Sequence, residues 1–177
     1  MTMSAATTPD GARACEDRVV PDPSFVIRPA FDGDRVPLAT LFAAVAEERD
    51  GIATEPPVDV EARAESWLLD GTLVAVAGDA IVGLLHVQAS RHGFGELGMA
   101  VAREWRGRGV GSALLAAGID WARERDLHKV TLAVFPHNTA AIALYEKFGF
   151  VEEGRRVKQF RRTSGELWDA VEMGRLI

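Results

Sequence analysis

The chain has 177 residues, 47% of them hydrophobic and 26% charged, with a formal net charge of −6 and one cysteine. This length suits a single domain with a proper core, and the acidic balance speaks against nucleic acid or an anionic membrane as a partner. One cysteine excludes an internal disulfide and fits a reducing, cytoplasmic setting, and no apolar run approaches the ~20 residues of a membrane span.

Residues 1–23 mix Ala, Thr, Pro, Gly and charge without an apolar signal core, so a disordered tail is expected there, with one domain over residues 24–177. Phe25-Val26-Ile27-Arg28 reads as a short strand closed by Pro29. Asp32-Gly33-Asp34 offers a helix cap, and Val36, Leu38, Leu41, Phe42 and Val45 recur with helical period to about Glu48. Residues 50–57, with a glycine and two adjacent prolines, predict a loop, and residues 59–69 a second helix with Trp67 and Leu68 packing at its end. Residues 72–77 and 80–87 flank Gly78-Asp79, a pair suited to a tight primed turn, and form a hairpin. After a turn at 90–95, residues 96–102 continue as a strand.

The next helix, from Val110 to about Arg125, carries a broad apolar stripe that must pack on a sheet. Residues 129–135 are β-branched and nearly all apolar, hence a central strand. Residues 138–148 form a helix stopped by Gly149. Residues 150–162 and 167–176 pair antiparallel around Thr163-Ser164-Gly165. This order predicts an α/β fold: a single mixed, mostly antiparallel sheet with helices on both faces.

Between the third meander strand and its helix lies Arg106-Gly107-Arg108-Gly109-Val110-Gly111. A strand that breaks at glycines and re-enters as a helix aims several free N–H groups, and the positive end of the helix dipole, at one point. That is an anion site suited to a pyrophosphate, and a side chain at the glycines would keep phosphates off the backbone. A Rossmann loop is excluded, because its last small position falls on Ser112 counted from Gly107 or on Leu114 counted from Gly109. A Walker A loop lacks its Gly-Lys-Ser/Thr. The plain alternative is a glycine-rich turn with no ligand.

The loop resembles the Gln/Arg-x-x-Gly-x-Gly/Ala element of the GNAT superfamily of acetyl-CoA-dependent N-acetyltransferases, with Arg106, Gly109 and Gly111 at the matching positions. A second likeness follows in Asn138-Thr139-Ala140-Ala141-Ile142-Ala143-Leu144-Tyr145-Glu146-Lys147-Phe148-Gly149-Phe150. The resemblance covers residues 25–177 and implies acetyl transfer to an amine by direct attack, with acetyl-CoA as the acyl donor. It places Arg106, Gly107, Arg108, Gly109, Val110, Gly111 and Ser112 at the pyrophosphate, Met99, Ala100 and Val101 along the pantetheine arm, and Asn138 as a further polar contact. It makes Tyr145 the acid that protonates the departing thiolate and Glu96 the base that acts on the acceptor through water. The bland readings stand beside these: Tyr145 as a core aromatic, Glu96 as a solvated strand end, Asn138 as a helix cap.

His86, His92, His128 and His137 lack the spacing of a metal site, and no metal is expected. Arg155, Arg156, Lys158, Arg161 and Arg162 read as the charges that protect an edge strand, with contact of one or two arginines to a substrate carboxylate or a cofactor phosphate left open. Glu47, Glu48, Asp50 and Glu55 lie where the family shapes its acceptor pocket and would attract a cationic amine. Three functions remain open: acetylation of a small amine (an amino acid, a polyamine or a drug-like molecule), acetylation of a protein N-terminus or lysine, and acetyl-CoA binding without turnover. A homodimer is compatible with the resemblance.

Overall fold

The computed structural model describes residues 24–177; the expected tail and Cys15 lie outside the described residues. Seven strands form one sheet in the order β1-β2-β3-β4-β5-β7-β6. They are β1 (Val26–Pro29), β2 (Thr72–Ala77), β3 (Ala80–Ala89), β4 (Phe94–Val101), β5 (Lys129–Val134), β6 (Val151–Arg161) and β7 (Leu167–Leu176). All neighbours run antiparallel except β4 and β5. The helices are α1 (Arg35–Ala46), α2 (Val60–Glu65), α3 (Val110–Glu124) and α4 (Thr139–Lys147). The fold class, the element order and both hairpin turns match the expectation from sequence.

Each face of the sheet has its own core. Val110, Leu114, Leu115, Ile119 and Ala122 of α3 pack with Leu85, Val87 and Leu97 on one side, joined by Tyr145 of α4. On the other, Leu38, Leu41 and Val45 of α1 pack with Trp67, Val74, Leu84 and Ala100. Leu38, Leu114 and Leu115 are fully buried, each contributing about 1.5–3 kcal/mol of transfer free energy.

Two local expectations change. The second helix was expected over residues 59–69, but α2 ends at Glu65. Asp59 caps its start by accepting from the N–H of Ala62, 3.0 Å away. At its end Arg35 Nη1 donates to the carbonyls of Ala64, Glu65 and Trp67 at 3.2, 3.4 and 2.8 Å. A guanidinium that takes the terminal carbonyls replaces the next helical turn, and Trp67 swings into the core. Asp32-Gly33-Asp34 forms its own short 3-10 turn. There Asp34 is buried and accepts from Arg28 at 2.6 and 2.9 Å and from the Phe31 N–H at 2.9 Å.

Candidate functional site

Strands β4 and β5 touch at only three residue pairs, Phe94 with Lys129, Gly95 with Val130 and Glu96 with Thr131. Beyond Glu96 they part, although β4 remains paired to β3 as far as Val101. Residues 97–101 therefore turn one row of backbone N–H and C=O groups toward a gap instead of a neighbouring strand. The gap opens into a cleft of about 1030 Å3, lined along β4 by Met99, Ala100 and Val101. A ligand with amides of its own can complete the ladder there.

The glycine loop closes one end of this cleft. Gly109 precedes α3 with φ of +85°, and no side chain caps the helix. The N–H groups of the first turn, from Val110 onward, are thus left for a ligand. A Cβ on Gly107 or Gly109 would meet no atom of the chain within 4 Å, so the space above the loop is open. Gly107, Gly109, Gly111 and Ser112 line the cleft. The side chain of Val110 is buried in the core beneath, leaving only its backbone for the site. Arg108 stacks on Trp105, its guanidinium 4.8 Å from the ring centroid, away from the lining.

Arg106 is held from two sides. Its Nη1 and Nη2 donate to the two oxygens of Glu48 at 2.7 and 2.8 Å, and its Nε donates to the carbonyl of Val101 at 3.0 Å. Arg103 reaches the same carboxylate at 3.1 Å. The hydrogen bonds from Arg106, outweighing burial, hold the Glu48 carboxyl below its ordinary range. The charge of Glu48, expected to attract a cationic amine, is already neutralised by two arginines of this chain.

Tyr145 lines the cleft from α4, 7% exposed, with its ring 5.8 Å from that of Phe150. Burial pushes its phenol up to about 12, and its hydroxyl has no hydrogen-bond partner among the described residues. The ring belongs to the core, as the bland reading expects, and the residue also borders the cleft. Asn138 likewise caps α4, accepting from the N–H of Ala141 at 3.3 Å, and also lines the cleft.

The lining continues along the α1–α2 face, around loop 49–55 and over residues of β5, β6 and β7. Gly98 and Ala100 border the cleft as expected from their alternation with Glu96, but Glu96 itself is exposed and lies outside the lining. His86 and Gln88 of β3, paired with Gly98 and Glu96, supply the polar side chains of that wall. Burial is the main reason that the His86 imidazole sits below its ordinary range, with the nearby Arg63 charge adding to it and Asp70 opposing.

Arg162 departs from the expectation of an edge-strand charge. It is 4% exposed, with its guanidinium 4.4 Å from the Trp168 ring centroid. It donates to the carbonyls of Ala53 and Arg49 at 2.9 and 3.2 Å. Glu55, beside it, accepts from the N–H and hydroxyl of Thr163 at 2.7 and 3.0 Å. Those bonds overcome burial and hold Glu55 below its ordinary range. Arg162 and Glu55 together fix loop 49–55 over the end of β6. His137, stacked on Phe135, touches the same loop through the Asp50 carboxylate at 2.9 Å. The other basic residues of the run lie on the edge strand β6 as expected, Arg155 and Arg156 facing Asp169 and Glu172 of β7.

Comparison with known proteins places these features together. The family model described as "Acetyltransferase (GNAT) family" matches residues 38–150. The L-amino acid N-acetyltransferase AaaT of Escherichia coli is 34% identical over 112 residues, which cover 59% of this chain and 67% of that protein. A mycothiol acetyltransferase of Paenarthrobacter aurescens is 40% identical over 102 residues, or 52% of this chain. The match spans only about a third (32%) of that protein's length. Among solved structures, the ribosomal-protein-alanine N-acetyltransferase of Brucella melitensis superposes with a TM-score of 0.78 at 30% identity, covering 86% of this chain and 99% of that one.

Proposed function

This chain belongs to the GNAT acetyltransferase family, and on that footing we propose that it moves an acetyl group from acetyl-CoA to the primary amine of a small molecule, by direct attack, in the cytoplasm. The observation that carries this reading is the continuity of the parted β4–β5 seam with the uncapped start of α3. Acetyl-CoA brings the acyl group as an activated thioester, and the tasks left to the protein fall to identifiable groups.

The N–H groups at the start of α3 bind the pyrophosphate, and Arg106 keeps the loop in shape through Glu48 and Val101. The backbone row of residues 97–101, its last carbonyl already held by Arg106, orients the pantetheine arm and offers N–H donors to the oxyanion. Tyr145, neutral at any physiological pH, donates to the departing thiolate. Its phenol is a weaker acid than a thiol by roughly three units, so it acts chiefly as a hydrogen-bond donor in the transition state. The acceptor ammonium must lose a proton before attack. Glu96 serves this through water in the reading from sequence, and His86 is a second candidate on the same wall.

Support for a small acceptor comes from loop 49–55, tied down by Arg162 over the acceptor side, and from the likeness to a relative named for L-amino acids. A second reading, transfer to a protein N-terminus, is favoured by the 30% identity with the ribosomal-protein-alanine enzyme over nearly its whole length. A panel of free amines and Ala-initiated peptides, with CoA release followed by a thiol reagent, separates the two. Turnover on free amines alone supports the first reading, turnover on peptides alone the second, and tight acetyl-CoA binding without turnover on either defeats both.

A further inference from the structure

The cleft lining includes two arginines, Arg63 and Arg106, in opposite electrostatic situations. Arg106 is neutralised by Glu48. Arg63, on α2, has no carboxylate partner among the described residues. Its guanidinium lies 4.7 Å from the Phe42 centroid and 4.5 Å from that of Trp67, rings themselves packed edge to face at 5.8 Å. Its Nε is buried without a hydrogen-bond partner. That nitrogen is sealed beneath the rings, so an incoming anion must meet the two terminal nitrogens, which remain accessible and have no partner among the described residues. The aromatic pair fixes the plane of the fork, as a guanidinium must be fixed to take a carboxylate with two parallel hydrogen bonds.

We propose that Arg63 is the anchor for a carboxylate on the acceptor, so that the substrates are amino acids or other amines bearing an acid group. This rests on the transfer reading above and narrows it. The test compares kcat/KM for an amino acid, its carboxamide and the decarboxylated amine, in the native enzyme and in Arg63→Met and Arg63→Lys. Methionine retains the packing of the stem on Phe42 and Trp67, and lysine restores the charge without the fork.

The native enzyme should prefer the acid, and Arg63→Met should lower kcat/KM for the acid about 10- to 100-fold, the range of a charged hydrogen-bond pair. The carboxamide should be little affected, and Arg63→Lys should recover part of the loss. Equal use of acid and carboxamide by the native enzyme, or equal losses on both in Arg63→Met, overturns the assignment while leaving acetyl transfer intact. Should no amine be acetylated, calorimetric titration with N-acetylated amino acids still decides. Weaker binding to Arg63→Met supports the carboxylate anchor, and equal or undetectable binding to both proteins removes it.

The Thr72 hydroxyl is buried and donates its one proton to the Leu68 carbonyl, 2.6 Å away. It accepts from the Trp67 indole N–H at 3.3 Å. Its remaining contact, 2.9 Å from Nδ1 of His86, can then only be a hydrogen bond that the imidazole donates. In neutral His86 the proton is therefore on Nδ1 and the lone pair on Nε2, which has no partner among the described residues. Across the β3–β4 ladder stands Gly98, where a Cβ would meet nothing within 4 Å, so the wall beside the ring is open.

From this valence count we infer that His86 Nε2 is the base that takes the proton from the acceptor ammonium. The freed amine forms the N–C bond as the C–S bond breaks, and the nitrogen gives up its second proton, which passes to the sulfur. The thiolate leaves and is protonated, and His86 returns its proton to water. The charged groups bearing on the ring are Arg63 from α2, which favours the neutral form, and Asp70, which opposes it.

The test is the pH profile of kcat/KM with an acceptor of high pKa. His86→Gln should lower kcat/KM about 100-fold or more and move the acidic limb up to the acceptor's own pKa, with an unchanged KM for acetyl-CoA and unchanged circular dichroism. Thr72→Val, which frees the tautomer, should move the limb less. Retention of rate and limb in His86→Gln, or displacement of the limb in Glu96→Gln while His86→Gln keeps it, overturns the assignment.

Discussion

Glu48 grips both terminal nitrogens of Arg106, at 2.7 and 2.8 Å, while the Nε of the same guanidinium holds the carbonyl that ends β4. One ion pair thus joins the turn after α1, the last residue of the parted strand and the glycine loop. Glu48→Gln removes the charge and at least one of the paired bonds. It should weaken acetyl-CoA binding by about 3- to 30-fold, the scale of a partly exposed charged hydrogen bond. The acceptor KM should change less than the donor Kd. Calorimetry with CoA and steady-state acceptor kinetics read the two separately, and a change confined to the acceptor would return Glu48 to substrate attraction.

Gly109 has φ of +85° and open space where a side chain would stand. Gly109→Ala should cost about 1–2 kcal/mol of stability from left-handed strain. Gly109→Val should in addition place its methyl groups over the first turn of α3, abolishing detectable CoA binding. Thermal unfolding and calorimetry on the same samples check both parts.

Tyr145→Phe should lower kcat about 10- to 1000-fold with little change in the Kd of acetyl-CoA, as loss of a donor used in the transition state does. Because burial holds the phenol at about 12, the loss should be the same factor at every pH from 6 to 10. A basic limb present in the native enzyme below pH 10 and absent in the variant would contradict this.

Stability should also record His86. Its folded affinity for protons is depressed below the ordinary 6.5, so the unfolded chain binds more protons at mildly acidic pH. The contribution is fully present above about pH 6.5 and is lost as the pH falls from there through the folded value. His86→Gln should flatten that part of the curve of unfolding free energy against pH, measured in denaturant between pH 5 and 8.

Arg162→Met should raise the acceptor KM several-fold and leave CoA affinity unchanged, since it releases loop 49–55 while the α3 end of the cleft stays as it was. It should also destabilise the fold by about 2–4 kcal/mol, because Ala53 and Arg49 lose a buried charged donor. Limited proteolysis at loop 49–55 gives an independent reading.

The elements legible in the sequence were those specified by local pattern. The hairpin at Gly78-Asp79 is read from its turn pair, α3 from its stripe, and the anion loop from glycines between a strand and a helix. Residues whose roles depend on distant partners are not legible in local pattern. Arg162 lies in a run of charges, and only the approach of residues 49–55 shows why it is buried. Glu48 looks like any solvated glutamate until Arg106, far along the chain, is beside it. The early end of α2 depends on Arg35, whose guanidinium takes carbonyls that helical pattern alone cannot assign. Thr72 and His86 follow the same rule, since the tautomer is set by hydroxyl valence across two strands.

The three-pair contact between β4 and β5 has a mechanical consequence. Strands β1 to β4 and strands β5 to β7 are two plates stitched along a short seam, with α3 strapped across them. Whatever fills the gap acts as a rivet, so the donor should stiffen the whole molecule and not only the groove it occupies. Amide exchange should slow in β5 and β7 as well as in β4, making the cosubstrate a temporary part of the framework.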